Sequence, residues 1–227
     1  MKKCLPSLIS AILCCSPALA LAADYKPASF NFSPSTLESA LADKNLPQGP
    51  AVAVYCQSDI NEQGESLRTS CFEKSGLESL ETAIEDSIST LSFTPATADG
   101  EAVAVRMNYR VIYQNDGDSA SVILIPNIGT LQKELGVNYY EPQERLNSAS
   151  KVESAKNTFF EHGARHIRAS ASISTTGASK EVAVVTKGTP KEDVAMINAI
   201  KSTQFIPGFV DDTPVEMTYL AIIAKES

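Results

Sequence analysis

The sequence predicts an α+β fold of two small domains, each a three-stranded antiparallel sheet packed on helices. The main observation is a segment that occurs twice, once from Ser92 as SFTPATADGEAV and once from Gln204 as QFIPGFVDDTPV. Its matching residues, such as Phe93 and Phe205, lie 112 positions apart. A fixed offset over a whole segment indicates a duplicated unit. Each copy follows a segment with helical spacing and leads into an alternating strand.

Composition limits the classes of protein that the chain can be. It has 227 residues, of which 43% are hydrophobic and 20% charged, as in a folded globular protein. This length allows one or two domains. The net charge of −8 and the pI near 4.9 argue against a general nucleic-acid binder.

The first 22 residues resemble a secretory signal. Lys2 and Lys3 are followed by a mostly apolar stretch, and Ala18-Leu19-Ala20 fits a small-x-small cleavage site. We therefore predict a signal peptide at 1–22 and a periplasmic protein. The alternative is an uncleaved N-terminus that anchors the chain in the inner membrane.

Two cysteines remain after the predicted signal. The chain has five Cys, and only Cys56 and Cys71 lie beyond residue 22. In an exported protein such a pair usually forms a disulfide. Strand candidates 51–57 and 67–73 form a hairpin in which the two can lie opposite each other, and the bond would contribute roughly 3 kcal/mol. A reactive pair with a thiol-redox role is the alternative.

The first domain is predicted to span 23–114. It begins with a helix at Ser35, where Ser35 and Glu38 form a capping box, and the hairpin follows. A second, amphipathic helix runs from Leu77 to Thr90 after a capping-box pair at Ser75 and Glu78. The helix ends before Pro95, which disfavours helical geometry at the preceding residue.

The strand over 103–113 has two different sides. Its alternation places apolar residues on the side that covers the helix, namely Val103, Val105, Met107, Tyr109 and Val111. The other side is polar, with Arg106, Asn108 and Arg110.

Residues 115–149 are predicted to be a connector over the surface, and 150–227 the second domain. A helix is expected over 152–161, then a hairpin of 167–174 and 180–186. The run from Thr189 to Glu192 has the N-cap, proline and glutamate of a helix start. Ala183 stands where the offset places Cys71. The last strand, 215–225, is apolar on both sides, so the second unit should hide both faces of its sheet.

The first unit resembles the TonB C-terminal domain family. The resemblance rests on the Cys56 hairpin, Lys74-Ser75-Gly76 before the helix, Phe93-Thr94-Pro95-Ala96, and Asp99-Gly100-Glu101-Ala102-Val103 before the closing strand. Ala102 replaces the usual proline. The second unit is a degenerate copy, in which Pro214-Val215 restores the family ending.

The resemblance implies a periplasmic module that binds an extended segment of an outer-membrane transporter by adding a strand to its sheet edge. The expected partner-binding edge is the strand with Val103, Val105, Arg106, Asn108 and Arg110. Alternatively, the last strands pair with each other or with the connector, and the chain forms a closed structural pseudo-dimer or an envelope accessory protein. In the family, an energy transducer also needs a retained membrane anchor and a long Pro-rich spacer. The N-terminus expected after cleavage offers neither, so we expect a soluble binding or accessory protein.

No catalytic motif occurs in the chain. It lacks G-x-S-x-G, P-loop, H-E-x-x-H and G-x-G-x-x-G patterns. His162 and His166 have helical ligand spacing, but Gly163 lies between them and a strand follows. We therefore predict a non-enzymatic protein with no catalytic residues, no metal site, no cofactor and no small-molecule substrate.

Overall fold

The protein has an α+β fold, as the sequence predicts. The computed structural model describes residues 24–72, 76–117, 119–129, 139–146, 166–186 and 188–224, with the backbone alone at 166–168 and 222–224. The described part contains three helices, and all its strand pairs are antiparallel. The predicted signal peptide and the predicted helix at 152–161 lie outside it.

The first unit has two helices and eight strands. They are β1 (Tyr25–Lys26), β2 (Ser29–Phe30), α1 (Pro34–Ala42), β3 (Gly49–Ile60), β4 (Ser66–Phe72), α2 (Glu78–Ser89), β5 (Phe93–Thr94), β6 (Ala96–Ala98), β7 (Glu101–Val103) and β8 (Val105–Asn115). The N-cap of α1 is Ser33, whose side chain accepts from the Thr36 N–H, so the predicted capping box at Ser35 is wrong. Pro34 fits the first helical position because its missing N–H needs no partner there.

The connector contributes strands instead of crossing the surface as a plain linker. These are β9 (Ala120–Ile125), β10 (Tyr139–Tyr140) and β11 (Gln143–Arg145). β9 pairs with β8, and β11 lies between β8 and a strand of the second unit. The connector therefore extends the sheet of the first unit.

The second unit repeats the order of the first from β3 onward. It comprises β12 (His166–Ile173), β13 (Ser179–Thr186), α3 (Pro190–Ser202), β14 (Phe205–Ile206), β15 (Gly208–Val210), β16 (Thr213–Val215) and β17 (Met217–Ala224). The helix start is as predicted, with Thr189 as N-cap and Glu192 completing the capping box. Glu192 accepts from the Thr189 N–H at 2.5 Å.

Two sheets form the body of the described part. The larger has the order β14-β11-β8-β3-β4, with β9 also beside β8, and the smaller has the order β13-β12-β17. Helices α1 and α2 contribute Leu37, Leu41, Leu80 and Ile84 to a core with Val54 and Tyr109. Met196 and Ile200 of α3 pack with Phe205 and Tyr219 in a second core.

The duplicated motif has the same conformation in both copies. β6 and β7 are joined by Asp99 and Gly100, with φ values of 54° and 83°, and β15 and β16 by Asp211 and Asp212, with 46° and 62°. Two positive φ values are typical of the type I′ turn that joins tight hairpins. The Asp-Gly turn predicted for the first copy is confirmed, and the second copy makes it with two aspartates.

The predicted disulfide joins Cys56 of β3 to Cys71 of β4, which lie opposite each other in the hairpin. Replacing both by alanine should lower the free energy of unfolding by about 3 kcal/mol, because the bond closes a 15-residue loop in the unfolded chain. Urea denaturation of the oxidised protein and of the double variant would measure the difference. A loss below about 1 kcal/mol would contradict the idea that the bond is a structural staple.

Candidate functional site

The strand predicted to bind a partner lies inside the larger sheet. β8 pairs with β3 over its whole length. On its other side Arg106 lies opposite Glu144 of β11, and Arg110 opposite Ile125 of β9. Val103 belongs to β7 and pairs with Ala96. The prediction of a free edge is therefore wrong at Val105, Arg106 and Arg110, where connector strands pair with β8. It is also wrong at Val103, whereas Asn108 has no strand opposite it on this side among the described residues.

Arg106 is the centre of a buried charged group. It is 2% exposed, and its guanidinium donates to both carboxylate oxygens of Asp59, at 2.7 and 3.0 Å. Its Nη1 lies 3.5 Å from Glu144 Oε2, which also accepts from the Tyr219 hydroxyl at 3.2 Å. The group therefore joins β3, β8, the connector and β17.

Asn108 and Arg110 continue this contact along β8. Asn108, 4% exposed, donates through Nδ2 to the Leu220 carbonyl of β17 at 3.3 Å. Arg110, 8% exposed, donates through Nε to the Asn127 carbonyl at 3.2 Å. The polar side of β8 is thus covered by the connector and the second unit. Leu220 is itself buried beside Phe72, which confirms at this position that β17 hides its second side.

The outer edge of β4 is closed by a side chain. The Cys71 N–H, which points away from β3, donates to Glu85 Oε1 of α2 at 2.6 Å. Glu85 is half-buried, and this burial raises the pKa of its carboxyl, against the opposing effect of the Cys71 N–H. A carboxylate that accepts an edge N–H removes a donor that an added strand would need.

The matching edge of the second unit, β13, shows no such closure among the described residues. Ala169 and Val184 pair as Cys56 and Cys71 do, so Val184, not the predicted Ala183, takes the place of Cys71. The hairpins are offset by 113 residues, one more than the motif. Ile197 stands 112 positions after Glu85 and cannot accept a hydrogen bond through its side chain. β13 has a neighbouring strand only at β12 among the described residues.

In the second half of β13, beyond Lys180 and Glu181, the side chains are uncharged, and three of the five are exposed. Residues 182–186 are Val-Ala-Val-Val-Thr, and Val185 is 51% exposed. Val194 of α3, which packs on this strand, is 57% exposed. Long apolar edges are uncommon in soluble proteins because they pair with other chains. This edge is the candidate interaction site.

A cleft of about 530 Å³ lies between the two motif hairpins. Its lining includes aromatic and proline side chains, namely Tyr25, Pro27, Pro95, Tyr140 and Phe209. Burial raises the pKa of the Tyr140 hydroxyl, and the Asp212 carboxylate adds to the effect. No group of three His, Cys, Asp or Glu side chains in the described residues could hold a metal ion.

No family model, curated protein or solved structure matches this chain. Within the residues that the structure describes, no helix is long and apolar enough to cross a membrane.

A buried carboxyl in the connector makes stability depend on pH. Glu141 is 4% exposed; burial raises its pKa to about 7, although the Gly129 N–H donates to Oε1 at 3.0 Å and Arg110 opposes the shift. Because the folded state keeps the proton that the unfolded state loses near pH 4.5, stability should fall as pH rises from about 4.5 to about 7.

Replacing Glu141 by glutamine should remove this fall. The amide oxygen still accepts the backbone N–H, and the amide nitrogen takes the place of Oε2, for which the described residues provide no hydrogen-bond partner. Urea denaturation at pH 5 and at pH 8 would test this prediction. Between these two pH values the free energy of unfolding of the native protein should fall by on the order of 2 kcal/mol more than that of Glu141→Gln. Equal losses would contradict the assignment.

Two features of the repeat were missed in the sequence. β1 pairs with β6 as β10 pairs with β15, which places Tyr25 and Tyr139 at matching positions. These two tyrosines lie 114 residues apart and not 112, and the residues around them have little else in common. The β13 edge had a clearer signal, since Ile197 at the offset of Glu85 shows that the second copy lacks the closing carboxylate.

Proposed function

We propose that the chain is an exported, non-enzymatic protein-protein interaction module of the TonB C-terminal type. An extended segment of an envelope protein pairs with the β13 edge as an added strand. The expected partner is a segment of an outer-membrane transporter. The observation that carries the proposal is the difference between the two copies: Glu85 closes the β4 edge, and Ile197, which cannot accept a hydrogen bond through its side chain, stands at the matching position of the second copy. Export rests on the sequence of residues 1–22.

Strand addition suits this edge for a backbone reason. An edge strand presents unpaired N–H and C=O groups at alternate residues, and an extended segment satisfies them without any particular side chain. Val185 is largely exposed on one face of the sheet, and Val194 on the helix that covers the other. Apolar side chains of an added strand would remove both from water, at about 25 cal/mol for each Å² buried.

A photo-crosslinking residue at position 185 would test the proposal in intact cells. It should form an adduct with an envelope protein, and a synthetic peptide of the crosslinked segment should bind the purified chain and protect the β13 amides from exchange. The matched control is position 67, because Leu67 is 64% exposed on the closed β4 strand. The proposal fails if both positions give the same adducts, or if position 185 captures no protein other than the chain itself.

A closed structural pseudo-dimer is the second candidate. It is favoured by the contact between Asn108 and Leu220, which are themselves 112 residues apart and so occupy matching positions in the two units. Matching residues meet near a two-fold axis. Together with the pairing of β8 on both sides, this contact leaves the first unit without a groove at its last strand. In this alternative, amides of β13 exchange at the same rate with and without every envelope peptide tested.

A further inference from the structure

We infer that, when no partner is bound, the β13 edge pairs antiparallel with β13 of a second copy of this chain. The inference rests on the proposed function in one respect, because it describes the same binding edge in the absence of the partner. The dimer itself is argued from the register and the charge of β13 alone.

The backbone register places a two-fold axis at Val184. In the first unit the N–H of Cys71 points away from β3, and Val184 holds the same position in its hairpin. Its N–H and C=O therefore point outward, and two copies can exchange both bonds at this residue. Such a hydrogen-bonded pair is one of the two kinds of site through which an antiparallel two-fold axis passes.

Side-chain charge permits this pairing in β13. With Val184 opposite itself, Ala183 lies opposite Val185 of the second copy, and Val182 opposite Thr186. None of these residues is charged, so no like charges meet across the axis in this run. The lysine within β13, Lys180, lies outside this run and is bound to Glu216 at 2.8 Å.

The pairing also covers apolar surface that is otherwise in water. Val185, 51% exposed, gains a neighbour across the axis on its own face of the sheet. The two three-stranded sheets become one of six strands, and neither copy keeps an open β13 edge. A self-complementary edge of this kind gives a closed dimer and not a fibre, because the same surface is used on both copies.

The β4 strand serves as an internal comparison. It has the same place in the first unit and a more exposed apolar residue, Leu67, at 64%. Its edge N–H is nevertheless taken by Glu85, and it carries Arg68. An exposed apolar residue alone is therefore not the basis of the inference; the open backbone of β13 is.

Sedimentation equilibrium over a range of protein concentrations tests the dimer. The native chain should dimerise, and Ala183→Lys with Val185→Lys should weaken the association about tenfold or more, because it sets two pairs of like charges across the axis. Both residues are exposed, so the fold should persist, and circular dichroism checks it. Leu67→Lys, the matched control, should leave the association unchanged.

Mixing two variants tests the antiparallel register. The lysine double variant and a glutamate double variant at the same positions should each be largely monomeric, yet form a heterodimer when mixed. A monomeric native chain, or a dimer equally weakened by Leu67→Lys, overturns the inference. An unchanged dimer in the lysine variant does so too.

These outcomes separate the inference from the proposed function. A native monomer that still crosslinks to an envelope protein at position 185 removes the dimer and leaves the function. A dimer whose position 185 crosslinks only to its own second copy removes the function and leaves the dimer. If both hold, the envelope peptide should shift the native chain from dimer to a monomeric complex.

Discussion

Replacing Arg106 by alanine is expected to lower the free energy of unfolding by about 3–5 kcal/mol, the largest loss that we predict for a single side chain. Arg106 is 2% exposed and provides charge for two carboxylates, the buried Glu144 and the partly buried Asp59. Removing it leaves those carboxylates without their shared cation in a site that water does not reach freely. Urea denaturation near neutral pH would measure the loss.

Arg68→Ala is the matched control. Arg68 contacts the same Asp59 oxygen at 2.9 Å, but its side chain is 27% exposed, so its removal should cost about 1 kcal/mol or less. Equal losses in the two variants would show that the burial of Arg106 does not increase its contribution to the free energy of unfolding. The loss in Arg106→Ala should also shrink at low pH, because the carboxylates that have lost the guanidinium can then bind protons in the folded variant.

This group also shows what the sequence could and could not predict about β8. Alternation correctly separated its two sides, and Val105, Met107 and Tyr109 are fully buried under the helices. A polar side alternates in the same way whether water or another part of the chain covers it. The position of Glu144 opposite Arg106 depends on how the connector folds back, which no local pattern records.

The difference between local and long-range pairing also decides which sheet features could be predicted. The Cys56–Cys71 bond could be predicted because both cysteines lie in one hairpin, whose register is set within 15 residues. Whether β8 or β13 is a sheet edge depends on segments far along the chain. Connector strands as short as Tyr139–Tyr140 pair through backbone groups, which leave little trace in the residue types.

The second prediction concerns a turn glycine that has the same geometry in both copies. Gly64, with φ of 81°, accepts from the Phe93 N–H at 2.7 Å, and a Cβ at this position would overlap the Phe93 carbonyl oxygen. Gly177, with φ of 73°, has the same relation to Phe205. Gly64→Ala and Gly177→Ala should each cost about 3 kcal/mol, because the added methyl displaces backbone as well as favouring negative φ.

Gly100→Ala separates the steric effect from the backbone preference. Gly100 has φ of 83°, close to that of Gly64, but no atom beyond its chain neighbours lies within 4 Å of a Cβ placed there. Its replacement should therefore cost only about 1 kcal/mol, the usual penalty for alanine in this conformation. Thermal or urea unfolding of the three variants would give the comparison.

The pattern of losses decides whether the two turns have the same structural role. Similar losses at Gly64 and Gly177, both well above that at Gly100, would mean that each hairpin turn holds the phenylalanine that begins its motif copy. If Gly177→Ala cost no more than Gly100→Ala, the turn of the second hairpin could move away from Phe205. The β13 strand, which follows that turn directly, would then lack the fixed position that both the proposed binding edge and its self-pairing require.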